Sequence, residues 1–539
     1  MDDYDRIRAE FCWPQKSHCN FATDVVDRWA KDVPEKRAML WTDDNGVERN
    51  LTFRHFSEQS CRAANLLSRL GIRRGDTVVI ILSRQIAWWE FLTACIRAGI
   101  VASPGTTQLS TKDIDYRIEA SGAVAVITDS ENAAKVDAVG SIGGRLTARI
   151  LVDGERPGWL DYSAEVEKES TDFDNVDTAT DEDMLCYFTS GTTGYPKMTI
   201  HSHGYYLGHI TTGRYWLDLT PDDLHWNISD TGWAKAAWSS YFAPWIQGAA
   251  LFVHHGAGFD ASATLAMFSR YPITTMCGAP TIYRMFVQQD LSLYRFPDLR
   301  HCVGAGEPLN PEVIETWRRA TGLEIRDGYG QTETVILCGS FPSIKVRPGS
   351  MGKPAPGVDL AVIDEVGQVL PAGEEGDIAL RVDPGRPLWL FKEYRGNAEK
   401  TASCFRGEWY LTGDRAYRDN DGYFWFVSRA DDVILSAGYR IGPFEVESAL
   451  IEHPAVMESA VVSSPDATRG EVVAAFVVLS PGHEPSDTLR AELQRHVKSV
   501  TAPYKYPRKV TFVDELPKTV SGKIRRIELR QREWQSSNS

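Results

Sequence analysis

Two short runs of consecutive apolar residues constrain the fold of this 539-residue chain more than any other feature. Residues 77–82 read TVVIIL, and residues 123–128 read AVAVIT. A strand with one face in water alternates apolar and polar residues, whereas a strand of a parallel sheet is apolar throughout because helices cover both of its faces. The two runs therefore predict a parallel sheet inside a layered α/β domain.

Helical patterns accompany these strands. Residues 54–70 repeat apolar side chains at helical spacing and end before Gly71, which can cap a helix. Residues 88–98 predict a second helix that ends at Gly99. The alternation of helix and strand predicts that the first three quarters of the chain is α/β, with doubly wound sheets.

The end of the chain predicts a smaller α+β unit. Its elements are a helix over 443–453, strands over 457–463 and 472–479, a helix over 489–500 and a strand over 509–513. The short polar stretch 428–432 precedes them and serves as the boundary. We therefore predict a large N-terminal domain over 1–430 and a smaller C-terminal domain over 431–539.

The composition limits the class of protein. The chain carries 58 basic and 73 acidic side chains, a formal charge of −15, and 43% of its residues are apolar. Such a composition is typical of a globular protein. Binding to a nucleic-acid backbone depends on lysine and arginine side chains that displace counterions, so the acidic balance argues against a nucleic-acid partner.

The cysteines and the chain ends bear on location. The nine cysteines form no C-x-x-C pair, which is typical of reduced intracellular thiols. The first residues are acidic, unlike a secretory or mitochondrial presequence, and the last three are not a peroxisomal signal. The longest apolar stretch, 238–259, is interrupted by polar residues and a proline. We therefore expect a cytoplasmic protein with no membrane partner.

A loop rich in glycine and hydroxyl groups follows a predicted strand over 184–188. The loop reads TSGTTGYPK and runs from Thr189 to Lys197. Backbone N–H groups, hydroxyls and one ammonium in such a loop suit a polyphosphate. The loop is not a Walker A motif, because Tyr195 and Pro196 separate the lysine from the glycine. A polar surface turn is the alternative interpretation.

This loop resembles the phosphate loop of the acyl-adenylate-forming enzymes, a family that includes acyl-CoA synthetases, luciferases and the adenylation domains of peptide synthetases. Further motifs of that family follow in order. Residues 304–308, GAGEP, resemble the adenine-contacting segment. Residues 327–333, DGYGQTE, resemble the motif whose tyrosine stacks on adenine and whose glutamate holds magnesium. Residues 410–414, YLTGD, resemble the segment with the ribose-binding aspartate.

The hinge of the family also has a counterpart. Residues 429–432, RADD, followed by 436–441, SAGYRI, resemble it. The resemblance implies that Asp431 is the pivot and that Arg429 and Arg440 reach the nucleotide. The residues that it assigns to nucleotide binding are Thr189, Ser190, Gly191, Thr192, Thr193, Gly194, Lys197, Gly306, Glu307, Pro308, Asp327, Gly328, Tyr329, Gln331, Thr332, Asp414, Arg429 and Arg440.

The segment 517–524, PKTVSGKI, resembles the one that carries the catalytic lysine, which is Lys523 here. In the implied chemistry a carboxylate attacks the α-phosphorus of ATP, expels pyrophosphate and becomes an acyl-adenylate. Negative charge gathers on the phosphoryl oxygens. Mg²⁺ held by Glu333 and Thr189, together with Lys523, would stabilise that charge. These are the implied catalytic residues, and ATP, Mg²⁺ and coenzyme A are the implied cofactors.

The second half-reaction needs a thiol, and we expect coenzyme A. The resemblance implies a large rotation of the mobile small domain that withdraws Lys523 and brings Gly438 beside the incoming pantetheine, where a side chain would narrow the tunnel. For the basic candidates, solvated surface charge is the alternative interpretation. The candidate CoA contacts are Gly438, Tyr439, Arg469, Lys505 and Arg508.

The sequence defines the carboxylic acid substrate less well than it defines the nucleotide site. Residues 230–240, DTGWAKAAWSS, resemble medium-chain acyl-CoA synthetases, and Lys235 falls where adenylation domains for amino acids carry an aspartate, so an α-amino acid is disfavoured. We expect a short or medium, branched, aryl or thioether acid, and the motifs also look similar to ligases for 3-methylmercaptopropionate. Tryptophans at 226, 233, 238 and 245 fit either an apolar pocket or plain core. The predicted pocket residues are Trp233, Lys235, Trp238, Gly304, Ala305 and Gly330.

Other functions stay open at this point. An adenylating enzyme that loads a carrier protein would keep the first half-reaction only. A silent nucleotide or acyl sensor would keep the fold, although Glu333, Asp414 and Lys523 all match the catalytic pattern. We expect small-molecule partners, namely a carboxylic acid, ATP and CoA, and a homodimer is one assembly to test.

Overall fold

The computed structural model describes residues 4–140, 146–189, 196–437, 439–466, 468–518 and 523–536. Within these ranges two large sheets, each with a parallel centre, lie in the N-terminal part of the chain. An antiparallel sheet follows them, and a separate sheet lies at the C-terminal end. The predicted class, a large α/β part with doubly wound sheets and a smaller α+β part, is confirmed.

The first large sheet holds the two apolar strands. Thr77–Ile81 lies between Val101–Gly105 and Ala125–Thr128, runs parallel to both, and all three strands are buried along their length. The prediction of a parallel sheet with both faces covered is therefore confirmed. In sheet order the described strands are Glu393–Arg395, Lys197–Ser202, Asp183–Thr189, Val101–Gly105, Thr77–Ile81, Ala125–Thr128, Ala148–Leu151 and Leu160–Asp161.

The second large sheet has six adjacent parallel strands in its described part, from Ile325–Tyr329 to Arg37–Asp43. Antiparallel strands complete both edges. In sheet order the strands are Lys353–Pro354, Cys338–Gly339, Ile325–Tyr329, His301–Ala305, Thr275–Gly278, Leu224–Ile228, Ala250–His255, Arg37–Asp43 and Glu48–Thr52.

The third sheet was not predicted from the sequence. Its strands pair antiparallel, and the long strand Trp409–Arg418 lies between Glu375–Arg381 and two shorter partners. This sheet carries the YLTGD motif. Its strands are Leu360–Ile363, Glu375–Arg381, Trp409–Arg418, Phe405–Arg406 and Phe424–Arg429.

The C-terminal sheet agrees with the predicted order of elements. The strand predicted over 457–463 is longer, Val456–Asp466, and the polar Ser464 is buried in its extension. The described strands are Tyr439–Ile441, Ile434–Ser436, Gly470–Leu479, Val456–Asp466 and Lys509–Phe512. The helices are Pro443–Ile451, Asp487–Val500 and Arg526–Ser536.

The two predicted helices near the start pack against each other as Phe53–Arg69 and Ile86–Arg97. Thr52 caps the first, since its side chain accepts from the backbone N–H of His55. No helix in the described ranges is long and apolar enough to cross a membrane. The remaining helices are Tyr4–Glu10, Arg28–Asp32, Thr111–Ser121, Ser130–Asp137, Tyr162–Val166, Tyr205–Thr211, Ala234–Ala237, Ala243–Gln247, Ala261–Arg270, Pro280–Val287, Pro311–Thr321 and Ala398–Ser403.

Candidate active site

The candidate site lies at the carboxyl ends of the parallel strands of the second sheet. Thr275–Gly278, His301–Ala305 and Ile325–Tyr329 are neighbours there. Ligands of open α/β sheets bind at this edge, because the strands end there and the loops diverge. Two predicted motifs, GAGEP and DGYGQTE, begin in the last two of these strands.

Asp414 is the best-connected carboxylate of the site. Its Oδ2 accepts hydrogen bonds from Tyr329 Oη at 2.6 Å and from Gln331 Nε2 at 2.7 Å. Its Oδ1 lies 3.2 Å from Arg429 Nε. Burial raises the pKa of Asp414, while Arg429, the two hydrogen bonds and Lys523 act in the opposite direction. Four of the predicted nucleotide residues therefore meet at one place.

Glu333 is held by a residue that sequence reasoning missed. Tyr394 Oη donates to Glu333 Oε1 at 2.6 Å, and the backbone N–H of Phe391 donates to the carbonyl of Glu333 at 2.8 Å. The ammonium of Lys197 lies 5.0 Å from the centre of the Tyr394 ring. Burial and the neighbouring Lys400 lower the pKa of Lys197. No sequence signal connects Tyr394 to the motif, because 61 positions separate it from Glu333.

The ends of the predicted phosphate loop are adjacent. Thr189 ends one strand, Lys197 begins the next, and the two residues pair directly in the antiparallel register. Tyr116 Oη donates to the carbonyl of Pro196 at 3.1 Å. The other loop residues of the prediction, Ser190, Gly191, Thr192, Thr193 and Gly194, lie outside the described residues.

Buried aromatic rings donate hydrogen bonds to backbone carbonyls in and next to the DGYGQTE segment. His201 Nε2 donates to the carbonyl of Thr332 at 2.7 Å, and the His201 ring lies 3.9 Å from that of Tyr205. Tyr205 Oη donates to the carbonyl of Thr334 at 3.4 Å. Trp238 Nε1 donates to Tyr205 Oη at 2.6 Å. Burial lowers the pKa of His201 to about 3, so its ring is neutral at physiological pH.

Lys235, Trp238 and Gly330, three residues of the predicted acyl pocket, have defined contacts. Lys235 Nζ donates to the carbonyl of Ala305 at 2.8 Å. A Cβ on Gly330 would lie 2.5 Å from the Trp238 ring and 2.4 Å from the carbonyl oxygen of Val335, so only glycine allows this approach. The Trp238 indole thus lies directly against Gly330.

The surroundings of Gly304 and of the other three tryptophans are also defined. A Cβ on Gly304 would contact Ile325, Leu309 and Tyr283 at 3.5 to 3.7 Å, on the core side of its strand, so a side chain there would not enter the pocket.

Two of the four tryptophans are plain core. Trp226 packs against Phe252 and Phe268, and Trp245 packs against Phe53 and Phe56. Trp233 is partly buried and precedes the helix Ala234–Ala237.

Asp327 is buried below the same edge. Its carboxylate accepts from the N–H of Gly328 at 2.9 Å, and its carbonyl accepts from Trp216 Nε1 at 3.2 Å. Burial raises the pKa of Asp327 to about 8, with the Gly328 hydrogen bond and Lys235 acting in the opposite direction. This carboxyl group is therefore largely protonated at neutral pH.

The GAGEP segment turns sharply after its strand. Gly306 has φ of +111°, a conformation that favours glycine. Glu307, predicted to contact nucleotide, forms an ion pair with Arg284 Nη2 at 3.0 Å. Pro308 is partly buried next to it. The segment is thus anchored to the helix Pro280–Val287.

Lys523 reaches this site from the C-terminal part of the chain. It lies close enough to Asp414 and Lys235 to affect the pKa of both. The predicted hinge lies in the turn Ala430–Asp432. Arg530 Nη1 donates to the carbonyl of Asp431 at 3.1 Å, so the last helix holds this turn.

Arg440 and several of the predicted CoA-binding residues contact other side chains of the protein. Arg440 Nη2 lies 3.5 Å from Glu365 Oε1. Tyr439 stacks on Tyr504 at 4.3 Å, and Lys505 forms an ion pair with Glu445. The remaining candidates are Arg508, whose Nη1 donates to Tyr506 Oη at 2.7 Å, Arg469, which is exposed, and Gly438, which lies outside the described residues.

The predicted magnesium ligand Glu333 can serve an ion that is bound together with nucleotide. The described residues contain no group of three histidine, cysteine or carboxylate side chains that could hold a metal ion. Mg²⁺ bound with nucleotide typically takes one or two carboxylates, phosphate oxygens and water. Glu333, beside Tyr394 and the end of the phosphate loop, supplies one such carboxylate.

Comparison with known families matches most of the chain. Residues 26–394 match the family described as "AMP-binding enzyme", and residues 445–523 match "AMP-binding enzyme C-terminal domain". The chain is 52% identical over 546 residues to "Acyl-coenzyme A synthetase ACSM3, mitochondrial" of Homo sapiens, covering 99% of this chain and 93% of that protein.

Two solved structures are similar over nearly the full length. The acyl-CoA synthetase of Brucella canis is 33% identical with a TM-score of 0.77, and the match covers 100% of both chains. The anthranilate CoA ligase AuaEII in complex with anthranoyl-AMP is 30% identical with a TM-score of 0.89. That match covers 97% of this chain and 99% of the ligase.

Proposed function

The chain belongs to the acyl-CoA synthetases of the AMP-binding enzyme family, and from that premise we propose how its residues divide the reaction and which acids it takes. Acyl-CoA synthetases are AMP-forming acid–thiol ligases that use ATP and CoA. Membership of the family leaves three parts of the reaction open in this chain, namely the residue roles, the domain movement and the acid.

Asp414 binds the ribose hydroxyls of ATP, and Tyr329 lies against the adenine. The observation that carries this assignment is the convergence of Tyr329, Gln331 and Arg429 on one buried carboxylate. Each carboxylate oxygen has two lone pairs, so Oδ1, which contacts Arg429, retains capacity for a hydroxyl donor. The three protein donors hold Asp414 in place before the nucleotide arrives.

Lys523, Lys197 and Thr189 stabilise the charge that develops on the α-phosphate. Lys523 lies near Asp414 and Lys235, which is the support for its position between ribose and acid. A compact ammonium suits this bridging role. Magnesium bound by Glu333 would supply further positive charge to the phosphate oxygens. Tyr394 orients Glu333 for that contact.

CoA reacts after the small domain rotates about Asp431. Lys523 lies near Asp414 and Lys235, and the thiol enters only after this lysine withdraws. Arg530 contacts both Asp431 and Asp432, and these contacts must adapt when the backbone at the turn changes. Such a turn can act as a two-state hinge.

The acid is of short to medium length. The support is that the Trp238 indole lies against Gly330 and is held there by its hydrogen bond to Tyr205, so we take it as the wall that limits the length of the acyl chain. Butyrate, pentanoate and 3-methylmercaptopropionate are close in size, and one methylene changes selectivity by only about 1–3 kcal/mol. These acids form the substrate class that we propose.

Location and assembly stay predictions. The sequence indicates a cytoplasmic protein, whereas the names of several relatives include a mitochondrial location. A homodimer is a further prediction, which light scattering of the purified protein would test.

A panel of acids tests the proposal. Pyrophosphate and AMP are measured with ATP and Mg²⁺, with and without CoA, for acetate to decanoate, benzoate, isobutyrate and 3-methylmercaptopropionate. The proposal predicts turnover that depends on CoA and is highest for an acid of the size of butyrate, pentanoate or 3-methylmercaptopropionate. A maximum at decanoate would contradict the short pocket. A single stoichiometric burst unaffected by CoA would indicate a carrier protein as acceptor.

A further inference from the structure

An ion pair in the C-terminal part of the chain lies directly beside the segment that carries Lys523. Arg526 begins the helix Arg526–Ser536, three residues after Lys523. Its Nε and Nη2 donate to Glu447 Oε1 at 3.1 and 2.9 Å, and Nη2 also donates to Glu447 Oε2 at 2.7 Å. Glu447 belongs to the helix Pro443–Ile451, and only 6% of its side chain is exposed. The pair therefore ties the start of one helix to a buried residue of another.

The surroundings of Glu447 fix the geometry of this pair. Its Oε1 also accepts from the backbone N–H of Val461 at 2.8 Å, and its carbonyl accepts from Ser459 Oγ at 3.1 Å. Both partners lie in the strand Val456–Asp466. A guanidinium that donates to both oxygens of a carboxylate has a defined orientation, which the single ammonium of a lysine does not reproduce. Arg526 is therefore held in one position relative to this strand.

Arg526 stays charged in this environment. Burial acts to lower its pKa, but Glu447, Asp432 and Glu307 act in the opposite direction and the net shift of the pKa is upward. Removal of one partner of such a pair would leave the other charge in the interior without compensation. The pair is thus a strong constraint on the backbone at the start of the helix.

The backbone between Lys523 and this pair is also fixed. Lys518 and Ile524 form an antiparallel bridge, and the N–H of Arg525 donates to the carbonyl of Pro517 at 2.8 Å. Lys523 directly precedes the bridge. The two residues that follow Lys523 are therefore paired through their backbone, and the ion pair anchors the residue after them.

The same helix contacts the predicted hinge. One turn after Arg526, Arg530 donates through Nη1 to the carbonyl of Asp431 at 3.1 Å and through Nη2 to Asp432 Oδ1. A rotation at the hinge therefore reaches this helix directly. The first residue of the helix then passes the movement to Lys523, because so few bonds separate them.

We propose that Arg526 and Glu447 are positioning residues that hold Lys523 at the α-phosphate during adenylation. The inference rests on the proposed function, in which Lys523 stabilises the charge on the α-phosphate, and adds the contact that places it there. A displacement of about 1 Å in a catalytic group can lower a rate by about 100-fold, so a flexible lysine side chain needs a fixed backbone. Lys523 is withdrawn when the thiol reacts, so the pair matters for the first half-reaction only.

The test measures the two half-reactions separately in variants of the pair. Arg526→Met keeps an unbranched stem and removes the donors. It should lower kcat for acyl-AMP formation by about 10- to 100-fold. KM for ATP should be unchanged, because the lost contribution acts in the transition state. Formation of acyl-CoA from supplied acyl-AMP should be retained. Arg526→Lys keeps the charge without the two-donor geometry, so its adenylation rate should be intermediate.

A second variant separates positioning from misfolding. Arg526→Met alone leaves Glu447 buried without its partner, whereas Arg526→Met combined with Glu447→Gln leaves no unpaired charge and keeps an acceptor for the N–H of Val461. This double variant should fold and show the same difference between the half-reactions. Arg532→Met is the matched control, because Arg532 lies on the same helix, is exposed and pairs with Glu528 at 2.8 Å. It should leave both half-reactions unchanged.

Two results would overturn the inference. Equal loss of both half-reactions in the double variant, with a lower midpoint of thermal unfolding, would mean that the pair only stabilises the fold. Full adenylation activity in the double variant would mean that Lys523 reaches its place without the pair.

Parallel measurements on Lys523→Ala distinguish this inference from the proposed function. Selective loss of adenylation in Lys523→Ala, with no selective loss in the variants of Arg526, rejects the inference alone. Equal loss of both half-reactions in Lys523→Ala rejects the proposed role of Lys523 and the inference together.

Discussion

The hydroxyl of Tyr329 donates a 2.6 Å hydrogen bond to the carboxylate of Asp414, which lies 85 positions further along the chain. Tyr329 ends a strand of the second parallel sheet, and Asp414 lies in the middle of an antiparallel strand of the third. This bond therefore joins two sheets at the point where we propose that ATP binds.

Tyr329→Phe should weaken ATP binding. The ring remains available to stack on adenine, but Asp414 loses one of its three donors. A hydrogen bond to a charged group is worth about 1.5–3 kcal/mol, so KM for ATP should rise by roughly 10- to 100-fold while KM for the acid changes little. Tyr417→Phe is the control, because Tyr417 lies in the strand that carries Asp414 but is stacked on Trp425. Equal changes in both KM values would argue against a ribose role for Asp414.

Tyr394→Phe should raise the magnesium concentration needed for activity. Its hydroxyl is the side-chain donor that orients Glu333, and loss of such a partner of a metal ligand costs about 10- to 100-fold. The measurement is the Mg²⁺ concentration at half-maximal pyrophosphate release, with ATP held constant. An unchanged magnesium dependence would indicate that Glu333 does not contact the metal.

His201→Leu should reduce activity more than His201→Gln. Leucine leaves the carbonyl of Thr332 without its donor, which costs about 1–3 kcal/mol, whereas glutamine can still donate an N–H. We expect the loss in kcat/KM for ATP, since Thr332 adjoins Glu333. Steady-state kinetics of both variants check this. Similar loss in the two variants would mean that ring stacking on Tyr205 matters more than the hydrogen bond.

Asp327→Asn should change how stability depends on pH. The pKa of Asp327 is raised to about 8 in the folded protein, so between pH 4 and 8 the folded state binds a proton that the unfolded state has released. Stability from this group therefore falls as pH rises through that window, by at most about 1.4 kcal/mol for each unit of pKa shift.

Urea unfolding midpoints at pH 5, 7 and 8.5 measure this effect. The wild-type protein should lose stability relative to Asp327→Asn as pH increases, because asparagine does not ionise. Midpoints that change in parallel would show that Asp327 titrates normally.

The parts of the fold that the sequence predicted well are those whose environment is uniform. Thr77–Ile81 and Ala125–Thr128 are buried on both faces, so all of their side chains lie in the interior and the strands read as continuous apolar runs. The antiparallel sheet around Trp409–Arg418 was missed because the residues buried at alternate positions of this strand, Thr412, Asp414 and Ala416, are polar or small, so its alternation does not show in the sequence.

The candidate site was predictable where its residues share a short motif. Tyr329, Gln331 and Glu333 lie within one segment, and Asp414 within another. Tyr394 and His201 were missed, because they reach the motif from 61 and 131 positions away. The roles of Lys235 and Gly304 depend on which face of a strand or helix meets the pocket, and packing decides that.

The most direct test of the central claim separates the two half-reactions in Lys523→Ala. Formation of acyl-AMP from acid and ATP should fall by at least about 10²- to 10³-fold, because a positive charge at the α-phosphate is lost. Formation of acyl-CoA from supplied acyl-AMP should be largely retained, since Lys523 must leave the site before the thiol enters. Lys518→Ala, in the same segment but paired with Glu458 at 2.8 Å, should preserve both halves. Equal loss of both half-reactions in Lys523→Ala would contradict the account.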